Sequence, residues 1–333
     1  MEHERILLAH GSGGSLTDDL VRDLFAAKFN NPWLSRLEDS AVLDEGRIAF
    51  TTDGYVVNPL FFPGGDIGKL AVCGTVNDLV VMGARPLYLS CAVIIEEGLP
   101  FEELERIVES IARTAKEAGT AVVAGDTKVV ERGAADKMFI TTSGIGLFEE
   151  CERPRPELVE PGDAVLVSGT VGDHGMAVLS AREDLYSGAE IVSDCAALNG
   201  LIESVMRACP VKFMRDPTRG GLATVVNELS VSANVGVELE EGAVPVRESV
   251  RSACELLGFE PFYLANEGRA VLVVDKTDGE RCLAALRSHP LGSEASVVGT
   301  IVSEHPGTVF LKTAVGGQRI LDMLTGEQLP RIC

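Results

Sequence analysis

The sequence predicts two successive domains of alternating strands and helices, α/β in character, followed by a thin C-terminal arm. Three observations carry that reading. The 333 residues suit two domains of about 150 residues each. A hydrophobic share of 46% gives both halves enough apolar surface for a core. The stretch 149–162, with Pro154, Pro156 and Pro161, reads as a linker between two runs of periodic segments. The expected units are 1–150, 151–325, and a mobile tail at 326–333.

Charge narrows the class of ligand. Lys+Arg 29 against Asp+Glu 50 gives a net charge of −21, which repels nucleic acid and anionic lipid, so a polyanionic ligand must arrive with a cation. Mg-nucleotide meets that requirement. Cys73, Cys91, Cys151, Cys195, Cys209, Cys254, Cys282 and Cys333 include no Cys-x-x-Cys pair. Several lie in apolar runs and read as small buried hydrophobes in a reducing compartment. The start, Met1-Glu2-His3-Glu4-Arg5, has no basic region followed by an apolar stretch, and no apolar run is long enough to cross a membrane. A cytoplasmic location without membrane contact is the expectation.

In the first half, His10-Gly11-Ser12-Gly13-Gly14-Ser15 reads as a flexible loop feeding a helix with apolar positions Leu16, Leu20, Val21, Leu24 and Phe25. Its amides suit a phosphate or an ordinary turn. A strand over 47–52 ends at Asp53-Gly54. Asp66 reads as the N-cap of a long helix carrying Ile67, Leu70, Val72, Val76, Leu79 and Val80, with Asp78 its one charge between Ala71 and Ala84. A strand over 86–95 precedes a helix with Pro100 in its first turn and Gly119 at its stop. A strand over 120–124 delivers Gly125-Asp126-Thr127-Lys128, and a strand over 138–147 closes the half.

The second half opens with Ala164-Val165-Leu166-Val167, a buried-strand pattern running into the glycine-rich turn 168–175, which contains His174. Arg215-Asp216-Pro217-Thr218-Arg219-Gly220-Gly221-Leu222 opens a helix, and Asn266-Glu267-Gly268 precedes a strand over 270–274. In the tail, Pro330 resists regular structure. Five extended residues span at most roughly 17 Å, enough to carry the Cys333 thiol from the surface into a cleft.

Familiar nucleotide motifs fail. Gly64-Gly65-Asp66-Ile67-Gly68-Lys69-Leu70 has three residues where a P-loop has four, and Leu70 replaces the hydroxyl that binds Mg²⁺. No Gly-x-Gly-x-x-Gly follows a strand. Carboxylates remain: Asp39, Asp53, Asp78 and Asp126 each lie at an element edge or in an apolar run, where an unpaired charge is costly. Converging on Mg²⁺ and phosphate oxygens would explain them, as would turn and capping roles for any single one. Lys128 suits a transferring phosphoryl group, and Glu267 a general base. His10 and His174 stand beside glycines, where an imidazole either contacts phosphate or makes a loop hydrogen bond.

The stretch from Asp39 through Lys128, then 169–175, 216–221, Asn266-Glu267-Gly268 and the terminal Pro330-Arg331-Ile332-Cys333 together resemble the HypE family of hydrogenase maturation factors, the carbamoyl dehydratases. The tetrapeptide and 125–130 are the most specific parts. That family is related to aminoimidazole ribonucleotide synthetase, thiamine monophosphate kinase and selenophosphate synthetase. The resemblance implies an α/β plus α+β architecture of two-domain synthetase-like fold. Its N-terminal sheet closes a barrel across a homodimer, and its C-terminal domain has a ferredoxin-like core.

The resemblance also implies the chemistry. Cys333 receives a carbamoyl group from the carbamoyltransferase HypF, ATP phosphorylates the amide oxygen, and loss of phosphate leaves a protein thiocyanate. Cyanide then passes to iron on HypC and HypD. It implies Asp39, Asp53, Asp78 and Asp126 as Mg²⁺ ligands for ATP, with Asn77 as a further ATP contact, beside the ATP contacts His10, Gly11 and Gly13 expected from the N-terminal loop itself. Lys128 stabilises charge at the amide oxygen and Glu267 abstracts a proton. A small-molecule kinase would keep the aspartates without needing Cys333, and a nucleotide-responsive scaffold would bind nucleotide without turnover.

Overall fold

A computed structural model describes residues 6–11, 13–149, 153–183, 191–324, 329 and 331–333. Ser12, Cys151, the tail residues 326–328 and Pro330 lie outside the described residues.

Five strands, β1 (Ala41–Leu43), β2 (Ile48–Tyr55), β3 (Ala84–Glu96), β4 (Ala121–Val130) and β5 (Met138–Phe148), form a mixed sheet in the order β1-β2-β5-β3-β4. All neighbours are antiparallel except β3 and β4. Two strands outrun their expected ends. Asp53 lies inside β2, opposite Thr142. The stretch 125–128 is not a loop delivered by a strand, because the parallel ladder continues through it from Cys91↔Gly125 to Glu96↔Val130. Backbone pairing with β3 holds these residues extended despite the glycine.

The helical run that begins with α1 (Ser15–Leu20) and continues to Phe29 buries none of its residues, and Phe25 and Phe29 stay exposed. By contrast α2 (Ile67–Val81) is apolar all round and nearly every residue is buried, the pattern of a helix packed on every side. Asp66 caps it as expected, its Oδ1 accepting from the amides of Gly68 at 2.8 Å and Lys69 at 3.0 Å. Next, α3 (Phe101–Glu117) buries one stripe, Ile107, Ser110, Ile111, Thr114 and Ala115, with Pro100 at the N-cap position, one residue before the first turn.

The second sheet has seven strands: β6 (Ala164–Val167), β7 (Phe213–Arg215), β8 (Gly236–Glu240), β9 (Val271–Val274), β10 (Ser296–Val302), β11 (Val309–Lys312) and β12 (Gln318–Ile320), in the order β12-β11-β8-β10-β6-β9-β7. Alternate residues of its centre serve two cores. Val165, Val167, Val271 and Val273 join one cluster, with α6 (Gly221–Ser232). Leu166, Leu272 and Val274 join the other, with α4 (Asp173–Glu183), α5 (Asn199–Ala208), α7 (Glu248–Leu257) and α8 (Gly279–Arg287). That second cluster also contains α2 residues and the tail residues Leu329 and Ile332, so one apolar body joins both halves and the chain end.

Candidate active site

Residues 51, 53 and 55 of β2 share one face because strand side chains alternate, and that face looks onto α2. The Thr51 hydroxyl donates to Asp78 Oδ2 at 2.7 Å, and Tyr55 Oη donates to Asp53 Oδ2 at 3.2 Å. The packing is close enough that a Cβ at Gly74 would fall 2.3 Å from Tyr55 Oη. Opposite stands the loop before α6. Arg215, the last residue of β7, pairs with Asp39 at 3.1 Å and with Glu228, and Asp216, Thr218 and Arg219 of the loop complete the wall. With Glu267 and Cys333, these elements enclose a polar cavity of about 250 Å³.

Four acids of this cavity are held away from their ordinary ionisation. Burial raises Asp39 against the pull of Arg215. Burial, then the neighbouring Asp53, Asp216 and Asp39 carboxyls, push Asp78 well up. Asp216 is pushed up to about 8 by burial and by Asp39 and Asp53. Glu267, 2% exposed, is raised by burial and by Asp216, Asp194 and Asp53, with Arg219 opposing. Asp216 Oδ2 and Glu267 Oε1 are buried with no hydrogen-bond partner. A cation would relieve all of these costs together. Among the described residues no three His, Cys, Asp or Glu side chains are grouped so as to ligate a metal alone. Mg²⁺, which keeps waters and takes phosphate oxygens, suits such a partial donor set.

The chain end is docked rather than free. The Val56 amide donates to the Cys333 carbonyl at 3.1 Å and the Asn58 amide to the Arg331 carbonyl at 3.2 Å. Arg182 donates to the Arg331 carbonyl at 2.7 Å, and His174 Nε2 contacts the Ile332 carbonyl at 2.7 Å. Burial pushes the Cys333 thiol up to about 12, Arg219 opposing and Glu267 and Asp53 adding to the rise. Arg219 is thus the cation beside the sulfur. Arg331 points elsewhere, to the Val56 carbonyl at 2.9 Å and to Asp136.

Of the residues singled out in the sequence, Asp39, Asp53, Asp78, Glu267 and Cys333 meet here. Asp126 and Lys128 do not line the cavity. They pair with each other at 2.6 Å on β4, both more than half exposed. Asn77, which the resemblance assigns to ATP, uses its amide on backbone instead. Oδ1 accepts from the Leu198 amide at 2.9 Å, and Nδ2 donates to the carbonyls of Ala196 at 3.1 Å and Glu267 at 3.3 Å. It is a strut under the Glu267 turn. Gly11 lines an adjoining cavity of about 340 Å³ that shares Gly54, Arg219 and Cys333 with the polar one. Gly13, at φ 80°, packs on Arg219, where a Cβ would come within 2.7 Å of the arginine Cβ. His10 is buried in a turn, its Nδ1 3.0 Å from the Leu7 amide, and lines neither cavity. Asp216, Thr218, Arg219, Thr51 and Tyr55 are among the site residues that sequence reasoning missed. For Asp216 and Arg219 the signal was present, a polar turn of Asp-Pro and Gly-Gly ahead of a helix.

Comparison with known proteins shows the family. Residues 37–148 match the family model of the AIR synthase related protein N-terminal domain, and residues 160–312 that of the C-terminal domain. The carbamoyl dehydratase HypE of Rhodobacter capsulatus is 51% identical, the alignment covering 100% of this chain and 99% of that protein. A HypE crystal structure in complex with ATP superposes with a TM-score of 0.83 at 49% identity, covering 99% of this chain and 100% of that one. A HypE chain from a HypE–HypF complex gives a TM-score of 0.87 at 50% identity, with 92% and 99% covered. The chain belongs to the HypE carbamoyl dehydratase family, within the AIR synthase related proteins.

Proposed function

We propose that the protein uses ATP to dehydrate a carbamoyl group carried on the Cys333 sulfur, leaving a protein thiocyanate that supplies cyanide to the iron of a nickel-iron hydrogenase. The observation that carries this reading is the enclosure of the terminal thiol in one cavity with the unpartnered Glu267 carboxyl. The amide oxygen of a thiocarbamate is a poor leaving group. Transfer of the γ-phosphoryl group onto that oxygen converts it to phosphate. The C–O bond then breaks with its electron pair on phosphate, both N–H protons leave, and a C≡N bond forms on the sulfur.

Glu267 takes a proton from that nitrogen. Its burial makes the carboxylate, once ionised, a stronger base than an exposed one. Arg219 opposes the negative charge beside the sulfur. Asp53, Asp78 and Asp216, with Asp39 shared by Arg215, would hold Mg²⁺, which when bound neutralises the ATP phosphates. Gly11 borders the space the nucleotide would occupy.

Asp126 and Lys128 act, in this reading, at the cavity of a second copy. β4 is an edge strand exposed along nearly its whole length, with Val122, Val123 and Val129 open to solvent. An edge of this kind invites pairing. A homodimer closing two N-terminal sheets into a barrel gives Lys128 a route to a partner's amide oxygen and Asp126 one to its Mg-ATP. HypF, which a relative half identical to this chain binds, is the carbamoyl donor, and HypC with HypD the acceptor, in the cytoplasm. We assign the units 1–150 and 151–325, the latter with a ferredoxin-like core, and a tail at 326–333 that leaves the cavity to be loaded. Single-turnover phosphate release tests the reading. Carbamoylated parent protein is expected to release one phosphate per Cys333, and Glu267→Gln none; equal release from both would overturn it.

A further inference from the structure

His174 is singled out in the sequence and the reaction scheme leaves it without a task, yet it is fully buried and holds two partners. Its Nε2 lies 2.7 Å from the Ile332 carbonyl, and its Nδ1 2.8 Å from Ser193 Oγ. A carbonyl only accepts, so Nε2 carries the proton. Burial lowers the ring to about 4, which leaves Nδ1 an acceptor at neutral pH. The Ser193 hydroxyl therefore donates to Nδ1, while its oxygen accepts from the Cys195 amide at 3.0 Å. Phe62 stands edge-on to the ring at 5.4 Å and fixes its plane.

The far side of this serine reaches the catalytic turn. Asp194 accepts from the amides of Glu267 at 3.3 Å and Gly268 at 3.2 Å, and the Ala196 amide donates to the Glu267 carbonyl at 3.2 Å. Ser193 itself is pinned to Pro63 through its own amide at 2.9 Å. One short segment, 193–196, thus contacts both the ring that grips the tail and the backbone that presents Glu267.

We propose that His174 is a tail-positioning residue. Its Nε2–H grips the peptide carbonyl one residue from the sulfur, and Ser193 fixes the tautomer that makes the grip possible. The contact is to backbone, so it serves the free and the carbamoylated thiol alike, and it places the load against Glu267 through a common support. The role rests on the dehydratase reading only in its second half; docking of the tail stands apart from it.

The test is the iodoacetamide labelling rate of Cys333, read by peptide mass without ATP or HypF. Replacing the ring by Leu leaves the Ile332 carbonyl without its donor, and the inserted state should weaken about tenfold. His174→Leu is therefore expected to label about ten times faster than the parent. His174→Gln, whose amide N–H stands near the Nε2 position, should restore most of the protection. Ser193→Ala leaves the ring in place and should give a smaller rise in the same direction. Labelling at the parental rate in both His174→Leu and Ser193→Ala would overturn the proposal. So would a rise that Gln fails to reverse together with a loss of thermal stability in all three, which marks a packing role. If labelling behaves as expected and carbamoylated parent still shows no ATP-dependent dehydration, the latch stands and the dehydratase reading alone fails.

Discussion

The two sheets of this molecule treat their strands in opposite ways. In the C-terminal sheet, β9 is buried at every position and its residues alternate between two apolar clusters, so the strand is satisfied on both faces within one chain. In the N-terminal sheet, β4 is exposed at nearly every position and pairs on one side only. Chemistry is finished within the chain in the C-terminal sheet and left open at the β4 edge of the N-terminal one. Buried carboxyls of the cavity repel one another and await a cation, whereas Asp126 and Lys128 on β4 already neutralise each other in solvent. A group at home in water has no need of this cavity unless a second chain brings it there.

The largest effect is expected from attacking the buried member. Asp78→Asn keeps the shape, ends the repulsion by Asp53, Asp216 and Asp39, and removes a charge the cation needs. ATP turnover should fall by about a hundredfold or more while the thermal midpoint stays level or rises. Parental turnover would remove Asp78 from the site.

Extending the chain past Cys333 comes next. The last carbonyl is held by the Val56 amide inside the cavity, and reacting groups tolerate only about 3–3.5 Å of separation. A few added residues should leave folding and nucleotide binding intact and cut thiocyanate formation by at least about tenfold. Mass analysis at the parental rate of cyanation would show that a free end is not required.

The exposed strand can be tested by charge and by mixing. If β4 pairs two copies, the parent should sediment as a dimer at micromolar concentration and Val123→Lys as a monomer, with circular dichroism unchanged; a monomeric parent would contradict the pairing. If Lys128 serves a partner's cavity, Lys128→Ala and Glu267→Gln are each inactive, and after subunit exchange their mixture regains about a quarter of parental turnover from heterodimers with one intact site. No recovery would return Lys128 to a solvated pair.

The smallest effect is one of pH. The docked thiol is raised from 9.0 to about 12, so the neutral form favours the inserted tail. Docking is then at full strength below pH 9.0 and weakens as pH climbs toward about 12. Cys333 labelling should lag an ordinary thiol across that window. A profile with its midpoint at 9.0 would contradict insertion.

Much of this was legible in local sequence. Asp66 shows its capping role because a cap is a contact within three residues, and α2 shows its burial because a helix apolar on every face has nowhere else to go. Asp78 shows its importance as the one charge between Ala71 and Ala84. What escaped was long-range. The 125–128 stretch looks like a loop because glycine punctuates it, and only pairing with β3 makes it strand. Asn77 and Asp78 are sequence neighbours, yet a turn of the helix directs one to the 196–198 backbone and the other to Thr51 on β2. Asp216 and Arg219 meet the other site residues only when the second sheet packs against α2. Arg331, two residues from Cys333 in sequence, has its backbone at φ 54° and binds the Val56 carbonyl and Asp136 instead.

On this reading the terminal thiol carries the group Glu267 acts upon. That is tested most directly by intact and peptide mass after incubation with HypF, carbamoyl phosphate and ATP. The parent is expected to gain one carbamoyl group and then lose one water, both on the peptide ending in Cys333, while Glu267→Gln gains the carbamoyl group and keeps it. Water loss at equal rates in the two proteins, or a carbamoyl group on any other residue, would contradict the account.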